Sequence, residues 1–252
     1  MNGRKPANRT RMLLLAAGLS GTICCAACQV EPAGIAALPN LPTPAMTGHA
    51  ANSRIKLPAP ALSGATSVEE ALAARRSVRA YAAEPLTLAD CAQLLWAAQG
   101  VTSPEGLRTA PSAGALYPLE VLLVAGRVTD LPAGVYRYDA HAHELALVAA
   151  GDRRAALSEA ALGQSPLHEA PAVFVIAGVH ARTTGKYGDR GVDYVYVEAG
   201  AAAQNMALQG IARNIGTVYI GAFDDEAVKQ ALNLAEDEEP LGLIPAGIPL
   251  SP

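Results

Sequence analysis

The chain has 252 residues, of which 51% are hydrophobic, 17% are charged and only 4% are aromatic. A mean hydropathy of +0.20 with so few charges excludes intrinsic disorder as a description of the whole chain. The net charge of −4 argues against a nucleic-acid-binding protein, because such proteins carry a basic excess. We therefore expect a folded protein without a nucleic-acid partner.

The first 28 residues have the pattern of a secretory signal peptide. A basic start is followed by an apolar stretch, residues 12–27, that carries no charge. This stretch is too short, and too interrupted by glycine, to predict a membrane-spanning helix. The basic residues of the start are Arg4, Lys5, Arg9 and Arg11. We expect an exported protein, with an uncleaved amphipathic anchor as the alternative.

Three of the four cysteines, Cys24, Cys25 and Cys28, lie in this first segment, and only Cys91 lies beyond it. An intramolecular disulfide framework is therefore excluded in the mature protein. The stretch Cys25-Ala26-Ala27-Cys28 resembles a bacterial lipobox, although Cys25 replaces the usual aliphatic residue. Either Cys28 carries a lipid anchor, which would be the only membrane contact, or the signal is cleaved in the ordinary way. We expect a periplasmic protein or a membrane-anchored lipoprotein.

Residues 29–65 are rich in proline and alanine and predict an extended linker, because proline fixes φ and removes a backbone donor. We expect the folded domain to cover residues 66–252. The first 28 residues take four of the 19 basic residues and none of the 23 acidic ones. The remainder is therefore more acidic than the whole chain.

Helices and strands alternate irregularly along the predicted domain. Ser67 and Glu70 form a capping box for a first helix, and Thr87 and Asp90 form one for a second helix that runs to Gly100. Strands are predicted at 119–125, 134–139 paired with 144–148, 173–179, 217–220 and 240–248, and further helices at 152–163, 193–214 and 225–234. This mixture, without strict βαβ alternation, predicts an α+β fold.

Three features of these elements are predicted to be structural. The helix at 193–214 is apolar on nearly all sides, which predicts burial in the core or at a subunit interface. Cys91 lies on the apolar stripe of the second helix and is predicted to be a core residue. His141 and His143 are two residues apart, which on a strand would place both side chains on one face, where they could bind a metal. Two histidines do not complete a metal site, so we predict a polar hairpin turn and no metal.

The segment Arg75-Arg76-Ser77-Val78-Arg79 places three guanidinium groups and a hydroxyl where the first helix ends. Guanidinium groups match phosphate oxygens with paired hydrogen bonds. In an acidic domain this cluster indicates an anionic partner, either a ligand phosphate or carboxylates elsewhere in the chain. A solvated helix end is the structural alternative.

Two further segments indicate a flat ligand. The loop 111–118 consists of small residues between two prolines, and small side chains let a ligand approach the backbone closely. The strand predicted at 217–220 ends at Gly221. Each segment could also be an ordinary structural turn.

Together these segments resemble the FMN-dependent nitroreductase superfamily. The matching stretches are RRSVRAY, PSAGALYPLEV, EAGAAAQNMALQGIARNIGTVYIGAF and a closing LIPAGIP, and they span about 67–249. More narrowly, they resemble the SagB-type branch, which includes azoline oxidases. The resemblance implies a three-layer α/β/α fold with a mostly antiparallel central sheet, and an obligate homodimer built around the long helix near Gln204.

The resemblance also implies roles for individual residues around FMN. The residues that correspond to the family's contacts with the FMN phosphate and ribityl chain are Arg75, Arg76, Ser77 and Arg79. Those that correspond to the loop along the flavin are Pro111, Ser112, Ala113 and Gly114. Ile220 and Gly221 correspond to the turn that faces the flavin N5 edge.

Two positions depart from the classical pattern. Many nitroreductases hold the phosphate with an additional basic pair near the C-terminus, whereas no Lys or Arg follows Lys229 here. The resemblance therefore leaves the phosphate to the cluster at 75–79, with a second subunit as a further source of donors. Ala115 occupies a position where many nitroreductases have an asparagine, which favours the SagB-type branch.

The resemblance further implies that Lys186 and Tyr187 act as an acid/base pair. A lysine shielded from water beside a flavin would accept a proton as hydride moves to N5. The alternative is a solvated loop before the long helix.

We therefore predict an FMN-dependent oxidoreductase of the SagB type that acts on a small-molecule or peptide substrate. Export would separate it from cytoplasmic NAD(P)H, which favours electron transfer to O2 or another acceptor. The alternatives are a conventional NAD(P)H-dependent nitro or quinone reductase, and a non-catalytic exported lipoprotein that uses the same fold for binding.

Overall fold

A computed structural model describes residues 54–250 of the chain. The elements in this range are β1 (Arg54–Lys56), α1 (Val68–Ala74), β2 (Leu86–Thr87), α2 (Leu88–Gln99), β3 (Leu119–Ala125), β4 (Val128–Thr129), β5 (Gly134–Asp139), β6 (Glu144–Ala150), α3 (Arg154–Ala160), α4 (Ser165–Glu169), β7 (Ala172–Gly178), α5 (Ala181–Tyr187), α6 (Arg190–Ala212), β8 (Gly216–Thr217), α7 (Asp225–Leu232) and β9 (Glu239–Gly247).

Seven of these strands form one sheet in the order β1-β6-β5-β3-β7-β9-β8. Every neighbouring pair in it is antiparallel. The strands β2 and β4 form a separate two-stranded parallel ladder. The central strand pair β3 and β7 is buried almost throughout, which explains its continuous apolar sequence.

Both faces of the sheet are covered by helices. Alternate residues of β3 and β7 face a core shared with α2 and α6 on one side, where Phe174 packs with Leu95 and Met206. The intervening residues face a second core shared with α3, α4 and α7, where Leu122 packs with Leu157. The period of two along each strand separates the two cores. The predicted three-layer α+β fold is confirmed.

The two predicted capping boxes are confirmed. The Ser67 hydroxyl accepts the Glu70 N–H, and the Glu70 carboxylate accepts the Ser67 N–H at 2.7 Å. The same reciprocal pair joins Thr87 and Asp90 at the start of α2. These contacts satisfy amide donors that the first turn of a helix otherwise leaves unpaired.

Several further predictions meet a clear outcome. Cys91 is fully buried, as predicted. His141 and His143 lie in the turn between β5 and β6, where His143 contacts the Tyr138 hydroxyl and the Pro58 carbonyl. The strand predicted at 217–220 is wrong in extent, since β8 ends at Thr217 and Ile220 forms an isolated bridge with Leu243.

Helix α5 was not predicted from the sequence, because its residues include Thr183, Thr184 and Gly185, which are weak helix formers. Packing against α6 explains its formation. A Cβ added to Gly191 would lie 2.8 Å from the backbone of Thr183 and Thr184, so only glycine allows this close approach. Helix α6 accordingly begins at Arg190, slightly before its predicted start.

The predicted domain boundary at residue 66 is wrong. Strand β1 lies inside the predicted linker and pairs with β6, and the Arg54 guanidinium donates to Asp139 at 2.8 Å. Leu57 is buried, and the backbone of Ala61 exchanges two hydrogen bonds with the Gln93 amide. A three-residue edge strand is held mainly by backbone pairing, which leaves little pattern in the sequence. The predicted signal segment, Cys28 and the first part of the linker lie outside the described residues.

Between residues 54 and 250, no helix is long and apolar enough to cross a membrane.

Replacement of Thr87 by Ala is expected to lower the free energy of unfolding by about 1 kcal/mol, because it removes the N-cap acceptor of α2. Urea unfolding followed by circular dichroism measures this loss. Thr87→Ser keeps the hydroxyl and should stay close to wild type. An unchanged unfolding midpoint in Thr87→Ala would contradict the capping role.

Candidate active site

A cavity of about 250 Å³ lies between the end of α1, helix α6 and the chain after β8. Its lining residues are Arg75, Ser77, Gly200, Ala203, Gln204, Ala207, Thr217, Val218, Tyr219 and Ile244. Two of these, Arg75 and Ser77, belong to the arginine cluster predicted from the sequence. The cavity therefore joins that cluster to the strand predicted to face a flat ligand.

The backbone holds the cluster against β8. Ser77 forms a parallel bridge with Thr217, and the Val78 N–H donates to the Thr217 carbonyl at 2.9 Å. The Val78 side chain packs onto Gly216, where an added Cβ would lie 2.6 Å from it. Arg79 follows two residues after Ser77 and is exposed; it is not among the residues that line the cavity.

Within residues 54–250, the arginines at 75, 76 and 79 form no ion pair with a carboxylate. Six other arginines of this range do so; these are Arg54, Arg137, Arg154, Arg182, Arg190 and Arg213. Arg76 instead donates to the carbonyls of Ala73 and Arg75 at the end of α1, so its guanidinium is engaged with the backbone. Arg75 and Arg79 are the two members suited to an external anion.

Fewer backbone groups of the turn at 220–221 are free to contact a ligand than the resemblance implies. The Ile220 N–H donates to the Leu243 carbonyl at 2.9 Å, and the Ile220 carbonyl accepts the Leu243 N–H at the same distance. Ile220 is buried, whereas Gly221 is exposed. The Tyr219 hydroxyl donates to the Leu241 carbonyl, which fixes the half-exposed tyrosine ring beside the cavity. Gly221 is therefore the exposed residue of this predicted pair.

The loop 111–118 forms a second group of predicted residues. A short 3₁₀ turn covers Ala113–Ala115, and left-handed φ values occur at Gly114, Ala115 and Tyr117. The Ala113 N–H donates to the Glu198 carboxylate at 2.7 Å, and the Tyr117 N–H donates to the Ser112 hydroxyl at 2.8 Å. Pro111, Gly114 and Ala115 are exposed. The loop thus offers a surface of small groups, while these two amides serve its own structure.

Lys186 and Tyr187 lie directly against this loop, at the end of α5. A Cβ added to Gly114 would lie 2.7 Å from the Tyr187 hydroxyl and 2.8 Å from Lys186 Nζ. The Tyr187 ring meets Tyr194 edge to face, with ring centroids 5.2 Å apart. The segment is therefore a helix end and not the loop that the structural alternative describes. Lys186 itself is exposed in the protomer.

The two groups lie on opposite faces of α6. Gly200 and Gln204 line the cavity beside the arginines. Glu198 and Asn205 instead face the 109–115 segment, and Asn205 donates to the Thr109 carbonyl at 3.2 Å. At about 100° per residue, these pairs point roughly 130° apart around the helix axis. Within the chain, the arginine cluster and the Lys186–Tyr187 pair therefore lie apart.

Glu198 was missed by the sequence reasoning. It is 4% exposed, and burial raises the pKa of its carboxyl group, opposed by hydrogen bonds from Ala113 and Ser112 and by the charge of Arg108. A signal was present, because Glu198 is the only charged residue between Asp193 and Arg213. A lone carboxylate on an apolar helix marks a group with a specific partner.

A larger cavity of about 460 Å³ lies between residues 61–68, α2 and α6. None of the predicted site residues lines it. Its one charged side chain, Arg213, is paired with Asp90 at 2.8 Å. The smaller cavity is the better candidate because it combines the Arg75 guanidinium, which pairs with no carboxylate among the described residues, with a wall of small residues.

The Nitroreductase family matches residues 72–248 of the chain, which include both groups of site residues.

The chain belongs to the nitroreductase family.

Family membership makes the chain an oxidoreductase. A protein of Methanocaldococcus jannaschii named as a nitroreductase is 42% identical over 180 residues, which cover 71% of this chain and 90% of that protein. The Trifolitoxin operon protein TfxC of Rhizobium leguminosarum is 33% identical over 119 residues, 47% of this chain and 33% of that protein.

A solved structure from Anabaena variabilis, named as a nitroreductase, superposes with a TM-score of 0.71 at 29% identity. The alignment covers 79% of this chain, but the chain spans only 42% of that longer protein. Proteins of this family generally bind FMN, and the arginine cluster is the part of this chain that fits an anionic group.

Replacement of Gly114 by Ala is expected to destabilise the protein by more than the roughly 1–2 kcal/mol that a left-handed φ alone costs. The added methyl must also displace Lys186 and Tyr187. Gly163→Ala is the matched control, since Gly163 has a φ of +74° but nothing within 4 Å of an added Cβ. Chemical denaturation measures both losses, and equal losses would show that the contact with Lys186 and Tyr187 is unimportant.

Proposed function

We propose that this chain is an FMN-dependent oxidoreductase of the SagB-type branch, which moves a hydride between a substrate and the flavin. The observation that carries the proposal is the pair Arg75 and Arg79, which form no ion pair among the described residues although the chain is acidic. Arg75 lines a cavity together with Ser77. A phosphate would supply the negative charge that neither guanidinium group meets among the described residues.

The residues present fit FMN. Guanidinium and hydroxyl groups suit the phosphate end, since charge-assisted bonds from arginine to phosphate are strong and directional. Gly200, Ala203 and Ala207 leave room for a flat ring along α6, and Val218 and Tyr219 form the facing wall. When bound, FMN supplies a two-electron acceptor that takes a hydride at N5. The protein's part is to bind the phosphate, to orient the ring and to handle the proton.

The proposed catalytic unit is a homodimer. The arginine group and the Lys186–Tyr187 group lie on opposite faces of α6, so a second copy must bring the loop 111–118 to the cavity. Helix α6 carries an exposed apolar residue, Val197. One turn further along the helix, a Cβ added to Gly200 would meet no atom within 4 Å. An exposed face of this kind on a long central helix supports packing against a second copy.

Lys186 and Tyr187 are proposed to take the proton that leaves the substrate as hydride departs. The Lys186 amine and the Tyr187 hydroxyl both lie within 3 Å of the position that a Cβ at Gly114 would occupy, so they share one location on the loop surface. Lys186 is exposed in one protomer, and its shielding from water would come from the second copy and the flavin. The substrate is proposed to be a small molecule or a peptide.

The proposed export through residues 1–28, with or without a lipid at Cys28, would separate the enzyme from cytoplasmic NAD(P)H. We therefore propose that electrons pass from the flavin to O2 or to another acceptor outside the cytoplasm.

Replacement of both Arg75 and Arg79 by Ala is expected to weaken FMN binding at least about 100-fold, because each hydrogen bond to a charged group contributes roughly 1.5–3 kcal/mol. Flavin fluorescence titration measures the affinity, and sedimentation shows whether the dimer is retained. Arg153→Ala, which changes an exposed arginine immediately before α3, is the control. A wild-type protein that binds no FMN would overturn the proposed function.

Replacement of Lys186 by Ala or Tyr187 by Phe is expected to slow reduction of bound flavin about 10²- to 10⁴-fold, while FMN affinity stays within about twofold. Anaerobic stopped-flow absorbance measures the rate with a thiazoline-containing peptide, NADH and NADPH as separate probes. Rapid bleaching by NAD(P)H would favour the conventional reductase. Wild-type rates in both variants would contradict the acid/base role.

A further inference from the structure

Glu198 connects the middle of α6 to the loop that carries Gly114. Its Oε1 accepts the Ala113 N–H at 2.7 Å. Within the loop, the Ser112 hydroxyl accepts the Tyr117 N–H at 2.8 Å. The carboxylate of Glu198 therefore ties the start of the turn to α6, and Ser112 joins that start to the end of the turn.

The turn needs such a support. Gly114, Ala115 and Tyr117 have φ values of 62°, 54° and 47°, and two of these residues carry a Cβ. Left-handed backbone is unfavourable for residues other than glycine and persists where surrounding contacts hold it in place. Arg108 stacks on the Tyr117 ring at 4.4 Å, and Arg182 donates to the Tyr117 carbonyl at 3.2 Å. These contacts hold the far end of the turn, whereas Glu198 holds its beginning.

The other surface of the turn faces Lys186 and Tyr187. Both polar atoms lie less than 3 Å from the position that a Cβ at Gly114 would occupy. A shift of the turn by a few tenths of an ångström would therefore move the Lys186 amine. Glu198 can act on that amine only through the turn, because its hydrogen bond goes to the Ala113 N–H.

We infer that Glu198 is a positioning residue whose carboxyl oxygen holds the 112–117 turn in the conformation that seats Lys186 and Tyr187. Its importance for turnover rests on the proposed function, whereas its hold on the turn does not. The essential property is an acceptor oxygen at the end of a side chain of this length.

Three variants of the full chain with added FMN separate this role from simple packing. Glu198→Leu keeps the volume but removes the acceptor, and Glu198→Gln keeps one carbonyl oxygen. Glu159→Ala, on the exposed side of α3, is the control. Hydrogen–deuterium exchange of the peptide covering 111–118, with and without FMN, reports the turn directly. Reductive methylation quantified at Lys186 reports the environment of its amine.

In Glu198→Leu we expect exchange in this peptide to rise at least tenfold and methylation of Lys186 to accelerate at least threefold. In Glu198→Gln both should return to within twofold of wild type. Unchanged exchange in Glu198→Leu, or a Gln variant as disturbed as the Leu variant, would overturn the inference. If Glu198→Leu does not fold, Glu198→Met, which also lacks an acceptor oxygen, takes its place in the comparison with Glu198→Gln, and the inference then requires faster exchange in the Met variant alone.

The flavin content of the same samples tests the proposed function separately. Wild-type protein that binds no flavin but shows the expected exchange pattern would refute the proposed function and leave the role of Glu198 in the turn intact. Flavin binding with no effect of Glu198→Leu on the turn or on Lys186 would refute only the inference.

Discussion

The packing of α6 against the central sheet is the constraint on which the rest of the structure depends. This helix covers one face of β3, β7 and β9, and it does so through small or buried residues such as Ala199, Ala202 and Met206. Its remaining faces contact different parts of the candidate site. One lines the cavity beside Arg75, and the opposite one holds the 109–115 segment. Because the helix is 23 residues long and fixed by the core, both groups have defined positions relative to the sheet.

The arginines near the end of α1 differ in their pairing from the arginines held between β3, β5 and α5. Arg137 pairs with Glu238 and Glu120, and Arg182 pairs with Glu120, so two arginines are neutralised between β3, β5 and α5. Arg75 and Arg79 lack such partners among the described residues. Unpaired guanidinium groups in an acidic protein attract anions from solution, which makes the end of α1 suited to a phosphate before any specific contact forms.

Much of this organisation could be predicted from the sequence. The capping boxes at Ser67 and Thr87, the burial of Cys91 and the sheet strands follow from local chemistry and from the period of two. Short elements held by tertiary contact escaped prediction. Helix α5 forms because Gly191 lets it pack closely against α6. Strand β1 forms by pairing its backbone with the outer edge of β6. The division of the site residues between two faces of α6 could not be read from motif order either, since sequence order does not reveal orientation around a helix axis. Glu198 left a visible signal that was overlooked.

The short strand β1 has a practical consequence. Its three residues cover part of the outer edge of β6, a seven-residue strand whose backbone donors and acceptors would otherwise face solvent. Open strand edges recruit other chains and favour aggregation. A recombinant version that starts at residue 66, as the proline content alone would suggest, removes this cover together with Leu57 and the Ala61 contacts. A version that begins at or before Arg54 keeps β1 paired with the outer edge of β6.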